Sequence, residues 1–287
     1  MIAILHRGKL AAAAMLALAT LAFGQIGTAT PAVAQQQAAF TPQSGYWTNP
    51  DQPGRGFSIE IKNNKLFMGM MFYDTDNTSK WTISNGYMTD ATHYKGQMLE
   101  YRNGQALHAT FAPPGPYAVV GEVSLEFTSA TTAKLTWPEG TVAINRMPIV
   151  PNGLSSGPAA NMPQTGWYWQ PVEGGRGWFV EIQGDTAYVT AYTYDSTGPS
   201  GWYVSRGQMV SNAFYMGQFQ AFTGGSPLGA TYASPTGIVD GGNVTMLFPV
   251  DGQNGTANIW LGTGDVIPLV RFDFGPFIDQ QVAAAAE

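Results

Sequence analysis

Three kinds of side chain in this 287-residue sequence could do chemistry: carboxylates, arginines set between glycines, and large aromatic rings. Glu60 and Glu181 each sit in an alternating stretch beside aromatic residues. A carboxylate in such surroundings must be hydrogen-bonded or hydrated, because an unpaired buried charge is prohibitively costly. Arg55 and Arg176 lie in Gly54-Arg55-Gly56 and Gly175-Arg176-Gly177, where the backbone can bulge. Such an arginine could clamp a carboxylate or sulfate bidentately. It could equally pair with an acid of the fold or cap one end of it. Trp81 and Trp202, with Tyr73, Tyr188, Tyr192 and Tyr194, could stack on the apolar face of a sugar ring or fill a core. The expected ligand-binding set is therefore Arg55, Glu60, Tyr73, Trp81, Arg176, Glu181, Tyr188, Tyr192, Tyr194 and Trp202. One of the adjacent Trp167, Tyr168 and Trp169 is expected at the surface.

Other chemistry is poorly supplied. The absence of Cys excludes thiolate catalysis, a disulfide scaffold and Cys-ligated zinc. There are 3 His, and none follows His108. Gly153-Leu154-Ser155-Ser156-Gly157 spells a nucleophile pattern, but that motif needs a strand, a sharp turn, a helix and a later His. Asp74-Thr75-Asp76-Asn77-Thr78-Ser79 superficially resembles a calcium loop, whereas the equivalent Asp195–Ser200 stretch keeps only its first acid. An Asp that bonds its own turn explains both. A glycosidase needs two carboxyls about 5–10 Å apart. Glu60 and Asp74 fall roughly 23 Å apart along a strand, leaving Glu100 or Glu126 as possible partners of Glu60. No cofactor and no metal are expected.

Composition narrows the classes further. Hydrophobic residues reach 44% and aromatics 13%, with only 11% charged, which disfavours disorder. A net charge of −6 without any basic stretch disfavours nucleic-acid binding. His6, Arg7 and Lys9 precede the apolar run Leu10–Phe23, and Ala32-Val33-Ala34 offers a cleavage site. Residues 1–34 therefore read as a secretory signal peptide, the run being shorter than a membrane span requires. Cleavage there would remove two of the 13 basic residues and none of the 19 acidic ones. An acidic, secreted or periplasmic bacterial protein without a membrane span is expected, its oligomeric state left open.

The elements that must position these residues come as a tandem repeat. Gly45-Tyr46-Trp47-Thr48-Asn49-Pro50 matches Gly166-Trp167-Tyr168-Trp169-Gln170-Pro171, an offset of 121 that runs without a gap to Leu107 and Leu228. It also relates Glu60 to Glu181, Tyr73-Asp74 to Tyr194-Asp195 and Trp81 to Trp202. His93 and His108 align with Phe214 and Gly229, so an imidazole catalyst could serve only the first repeat. The boundaries read as an arm at 35–44, a first repeat at 45–147, a Pro/Gly/Ser linker at 148–165, a second repeat at 166–272 and a tail at 273–287. Within each repeat, short alternating runs separated by Gly, Asn, Asp and Pro predict about eight strands, and Ala106–Phe111 could add a further one. The expected fold is all-β: two tandem antiparallel barrels, or barrel-like sandwiches. Gly45-Tyr46-Trp47 near the first strand and Arg146 at the last resemble the Gly-x-Trp and closing Arg of calycin barrels, the lipocalin and avidin-like superfamily. That resemblance implies an Arg packed across the Trp to seal one barrel end. In the second repeat, with Gly166-Trp167-Tyr168-Trp169 and Arg271, the Trp is displaced by one position, which turns it to the other face.

Asn63-Asn64 and Gly184-Asp185 suit tight hairpin turns. Glu60 then opposes Phe67 and Glu181 opposes Tyr188. One face of each hairpin becomes aliphatic, and the other carries the Glu and the aromatic rings. Either face could line the barrel. A Glu/Tyr-lined lumen would hold a ligand, whereas an aliphatic lumen would leave the aromatic face to be covered by the sister barrel. The expected function is an exported, non-catalytic protein that binds a carbohydrate or another small, partly apolar ligand. The alternatives are a secreted polysaccharide-cleaving enzyme, using carboxylates or a His of the first repeat, and a structural or adhesive surface protein.

Overall fold

The computed structural model describes residues 40–251, 254–262, 264 and 266–284; the expected signal segment lies outside them. The first eight strands are β1 (Gly45–Thr48), β2 (Gly56–Lys62), β3 (Lys65–Tyr73), β4 (Ser79–Tyr87), β5 (His93–Glu100), β6 (Ala118–Phe127), β7 (Thr132–Trp137) and β8 (Gly140–Arg146). A single helical turn, α1 (Gly153–Ser156), follows. The second set is β9 (Gly166–Trp169), β10 (Gly177–Gln183), β11 (Thr186–Tyr194), β12 (Ser200–Ser211), β13 (Phe214–Thr223), β14 (Gly237–Leu247), β15 (Thr256–Trp260) and β16 (Ile267–Arg271). The chain ends in helix α2 (Phe274–Ala284), where the sequence suggests no more than a turn.

Each set is a closed antiparallel barrel in which sequential strands are neighbours. Closure is made at Trp47 opposite Arg146 and at Tyr168 opposite Arg271. It removes the free edges that make open sheets associate. Turn chemistry sets the register. Asn63 and Asn64 both have positive φ (51° and 61°), as a type I′ hairpin requires, while Gly184 alone does so (φ 59°) in the second repeat. Glu60 accordingly pairs with Phe67, and Glu181 with Tyr188. Ala106–Phe111 is not a strand. Its only ladder contact is an isolated parallel bridge from Ala106 to Tyr194 of the other barrel.

The aliphatic face fills each lumen. Trp47, Phe57, Ile59, Leu66, Met68 and Met70 pack inside the first barrel. Tyr168, Trp178, Val180, Ile182, Val189 and Ala191 pack inside the second. At about 1.5–3 kcal/mol for each large apolar side chain fully buried, these packed interiors drive folding. A third cluster holds the other face: Tyr46, Phe67, Met71, Tyr73, Trp81, Trp167, Phe179, Tyr192, Tyr194 and Trp202 pack between the two barrels. The Glu/Tyr-lined lumen, one of the two orientations open in the sequence, is thereby corrected. Both faces satisfy period two, and the bulkier, hydrogen-bonding rings suit a layer where hydroxyl and indole groups can reach the opposite backbone.

Candidate functional site

Several contacts across this layer occur twice, related by the repeat offset of 121. The Trp81 indole donates to the Thr193 carbonyl at 2.6 Å, and the Trp202 indole to the Phe72 carbonyl at 3.0 Å. The Asn103 amide donates to the Gly198 carbonyl, and the Gly224 amide to the Asn77 carbonyl. The halves therefore meet as two subunits of an isologous dimer would, through the same surface on each.

The two carboxylates that recur at equivalent repeat positions, Glu60 and Glu181, belong to this exchange. Glu181 Oε2 accepts from the Tyr46 amide at 2.6 Å and from Arg146 Nη1 at 3.2 Å, and Oε1 accepts from Arg146 Nη2. Glu60 accepts from the Trp167 amide at 3.0 Å and from Arg271. Each Glu thus meets the closing Arg of the opposite barrel. The closing guanidinium also serves its own barrel: Arg271 lies 5.3 Å over the Tyr168 ring. Glu60 and Glu181 line a cavity of about 340 Å³ beside α1, away from the Tyr and Trp side chains with which the sequence groups them.

Arg55 and Arg176 anchor the long loops after β5 and β13. Arg55 donates to the Ser226 carbonyl, the Ser226 hydroxyl and the Pro227 carbonyl, and Nη1 bonds Gln52 at 3.1 Å. Arg176 reaches the Leu107 carbonyl at 3.4 Å and pairs with Glu173 at 2.7 Å. Burial pulls both guanidinium groups below the usual arginine value, and Glu173 opposes that effect at Arg176 alone. The Tyr192 hydroxyl meets Ser58 Oγ at 2.7 Å across the layer. Burial holds Tyr73, Tyr192 and Tyr194 well above the ordinary phenol range and pushes Tyr188 up to about 12.

Two open clefts flank the layer, and their walls are built from equivalent positions. The first, of about 520 Å³, takes Phe67, Trp81, Tyr101, Trp167, Trp169, Arg176, Tyr192 and Tyr194 from the barrels, and Phe272, Pro276 and Phe277 from the C-terminal segment. The second, of about 440 Å³, places Tyr188, Trp202, Phe222, Tyr46, Thr48, Arg55 and Met71 at the positions of Phe67, Trp81, Tyr101, Trp167, Trp169, Arg176 and Tyr192. In the first cleft the rings with surface to offer are half-buried: Tyr101, Trp169, Phe272 and Phe277. Trp81 stacks on Tyr101 at 6.4 Å and 29°, and Trp169 meets Phe272 at 5.0 Å. Trp169 is the surface member of its triplet, as Trp167 and Tyr168 are buried. The sequence singles out none of Tyr101, Phe272 and Phe277: Tyr101 and Phe272 each lie one residue past the end of a strand, β5 and β16, and Phe277 lies in α2.

The remaining candidates do not assemble into a site. His93 is exposed against Asp90, and His108 bonds the Gly241 carbonyl. The Ser155 hydroxyl donates to the Asn152 carbonyl within α1. Asp195 accepts from the Thr197 and Gly198 amides of its own turn, and Asp76 from Thr78. Among the described residues no cluster of three or more His, Asp or Glu is placed to hold a metal ion, and no helix is long and apolar enough to cross a membrane. No protein-family model, curated protein or solved structure matches the chain.

Proposed function

We propose that the first cleft binds a carbohydrate or another small, partly apolar ring compound, without catalysis. The observation that supports this reading is the set of half-buried rings, Tyr101, Trp169, Phe272 and Phe277, opening onto one cleft whose volume suits a small ligand. The apolar face of a pyranose stacks on such rings, and Asp273 and Gln280 at the rim offer polar partners for its hydroxyls. The apolar run Leu10–Phe23 with Ala32-Val33-Ala34 supports an exported, glycan-facing location. Two filled, eight-stranded barrels with an Arg at each seam support kinship with the calycin layout, the ligand site having moved from the lumen to the inter-barrel cleft.

A glycan array probed with the protein from residue 35 onward, followed by titration of the best ligand against tryptophan fluorescence, tests this. Trp169→Ala should weaken binding by about 1–3 kcal/mol, the scale of one aromatic stack, with the melting temperature retained. Binding that survives both Trp169→Ala and Phe272→Ala would overturn the assignment to this cleft.

A further inference from the structure

We propose that the second cleft, at Arg55, binds a ring-bearing carboxylate whose charge this arginine lacks in the free protein. Arg55 is only 7% exposed, yet every acceptor it meets is neutral: two carbonyls, the Ser226 hydroxyl and the Gln52 amide oxygen. No ion pair reaches it among the described residues, and no Asp or Glu lines its cleft. The equivalent Arg176 does have a counter-charge, Glu173, at the position that Gln52 occupies in the first repeat. A single residue therefore separates a paired arginine from an unpaired one. A guanidinium held out of water without a counter-ion is a costly arrangement, and an anion entering the cleft relieves it.

The geometry leaves room for such a partner. Nη1 carries two N–H groups and bonds only Gln52, so one donor is spare. The Tyr73 hydroxyl, buried without a partner, does not line the cleft but lies directly behind Gly54, which does. Half-buried Tyr188 and Phe222 supply the apolar wall, with Phe222 tilted 31° against Trp202. A six-membered ring carrying one carboxylate satisfies both features. A sugar acid and an aromatic acid share that chemistry.

The test uses the full chain and calorimetric titration with trigalacturonate, its neutral counterpart galactotriose, and benzoate. At least one of the two acids should bind about tenfold or more tighter than galactotriose, the scale of one charge-assisted hydrogen bond, and salt should weaken it. Binding of trigalacturonate alone identifies a sugar acid; binding of benzoate alone identifies an aromatic acid. Gln52→Glu installs the counter-charge that Arg176 already has in Glu173. It should abolish the preference for acids while preserving the melting temperature, which keeps the test valid if Arg55→Gln unfolds the loop it anchors. Acids that bind no tighter than galactotriose, or a preference that survives Gln52→Glu, overturn the proposal. Acid binding lost in Trp169→Ala but kept in Gln52→Glu would overturn it too, since the acid would then occupy the first cleft.

Discussion

At the residue scale, the two glutamates show how sequence position and chemical role part company. Their recurrence on an aromatic face is compatible with a polar handle inside a ligand cavity. In the folded chain each is consumed by an arginine and an amide of the other barrel. Glu181 and Arg146 are 3% and 5% exposed, and Gln183 adds a further bond to the carboxylate. Removing one partner of such a pair strands the other charge, at about 3–5 kcal/mol. Glu181→Gln should therefore lower unfolding stability on that scale, read as a shift in urea midpoint, with little direct effect on ligand affinity. Glu60→Gln should cost less, because Arg271 keeps 20% of its side chain in water and its contact with the Tyr168 ring. Equal and negligible shifts for both would mean that the ion pairs do not hold the barrels together.

At the element scale, the strands and hairpin registers were readable because they depend on local rules. Asn63-Asn64 demands a two-residue turn, and Glu60 then has to face Phe67. What covers the aromatic face was not readable, because period-two alternation is satisfied by either orientation and the deciding contacts, such as Trp81 with Thr193 and Trp202 with Phe72, join different repeats. Loops carry that information in the folded chain. The segment between β5 and β6 lies on the second barrel, and the segment between β13 and β14 lies on the first. Glycine permits both approaches: a Cβ on Gly104 would sit 2.2 Å from the Tyr194 ring, and one on Gly225 2.2 Å from the Tyr73 ring. Gly104→Ala and Gly225→Ala should each destabilise the fold by about 1–3 kcal/mol, as overpacking does. Thermal melts of the two variants should agree closely, since the sites are equivalent; a loss confined to one would show that the two loops dock with unequal strength. The clefts escaped the sequence for the same reason, as Tyr101, Phe272 and Phe277 become neighbours only after the loops and α2 have docked.

At the scale of the whole molecule, the chain is two filled barrels whose shared cover is a layer of phenols and indoles, and that composition fixes how it should respond to alkali. Burial raises Tyr46, Tyr73, Tyr192 and Tyr194 well above the ordinary tyrosine value of 10.0, and Tyr188 to about 12. In the unfolded chain these phenols ionise near 10, so above that pH the unfolded state binds fewer protons than the folded one. Stability then falls with rising pH, whereas below 10 both states hold the protons and these residues contribute no slope. Melting temperature should be insensitive to these groups from neutrality to about pH 10 and drop steeply beyond it. Both barrels depend on the same layer, so circular dichroism should show them unfolding in one transition, and the phenolate absorbance of the buried tyrosines should rise in that same transition, after that of exposed ones such as Tyr87 and Tyr117. Two separate transitions would show barrels that stand without each other. Phenolate absorbance beyond that of the exposed tyrosines, unchanged in a Tyr87→Phe/Tyr117→Phe variant and appearing while the sheet signal is intact, would show that water reaches the layer in the folded state.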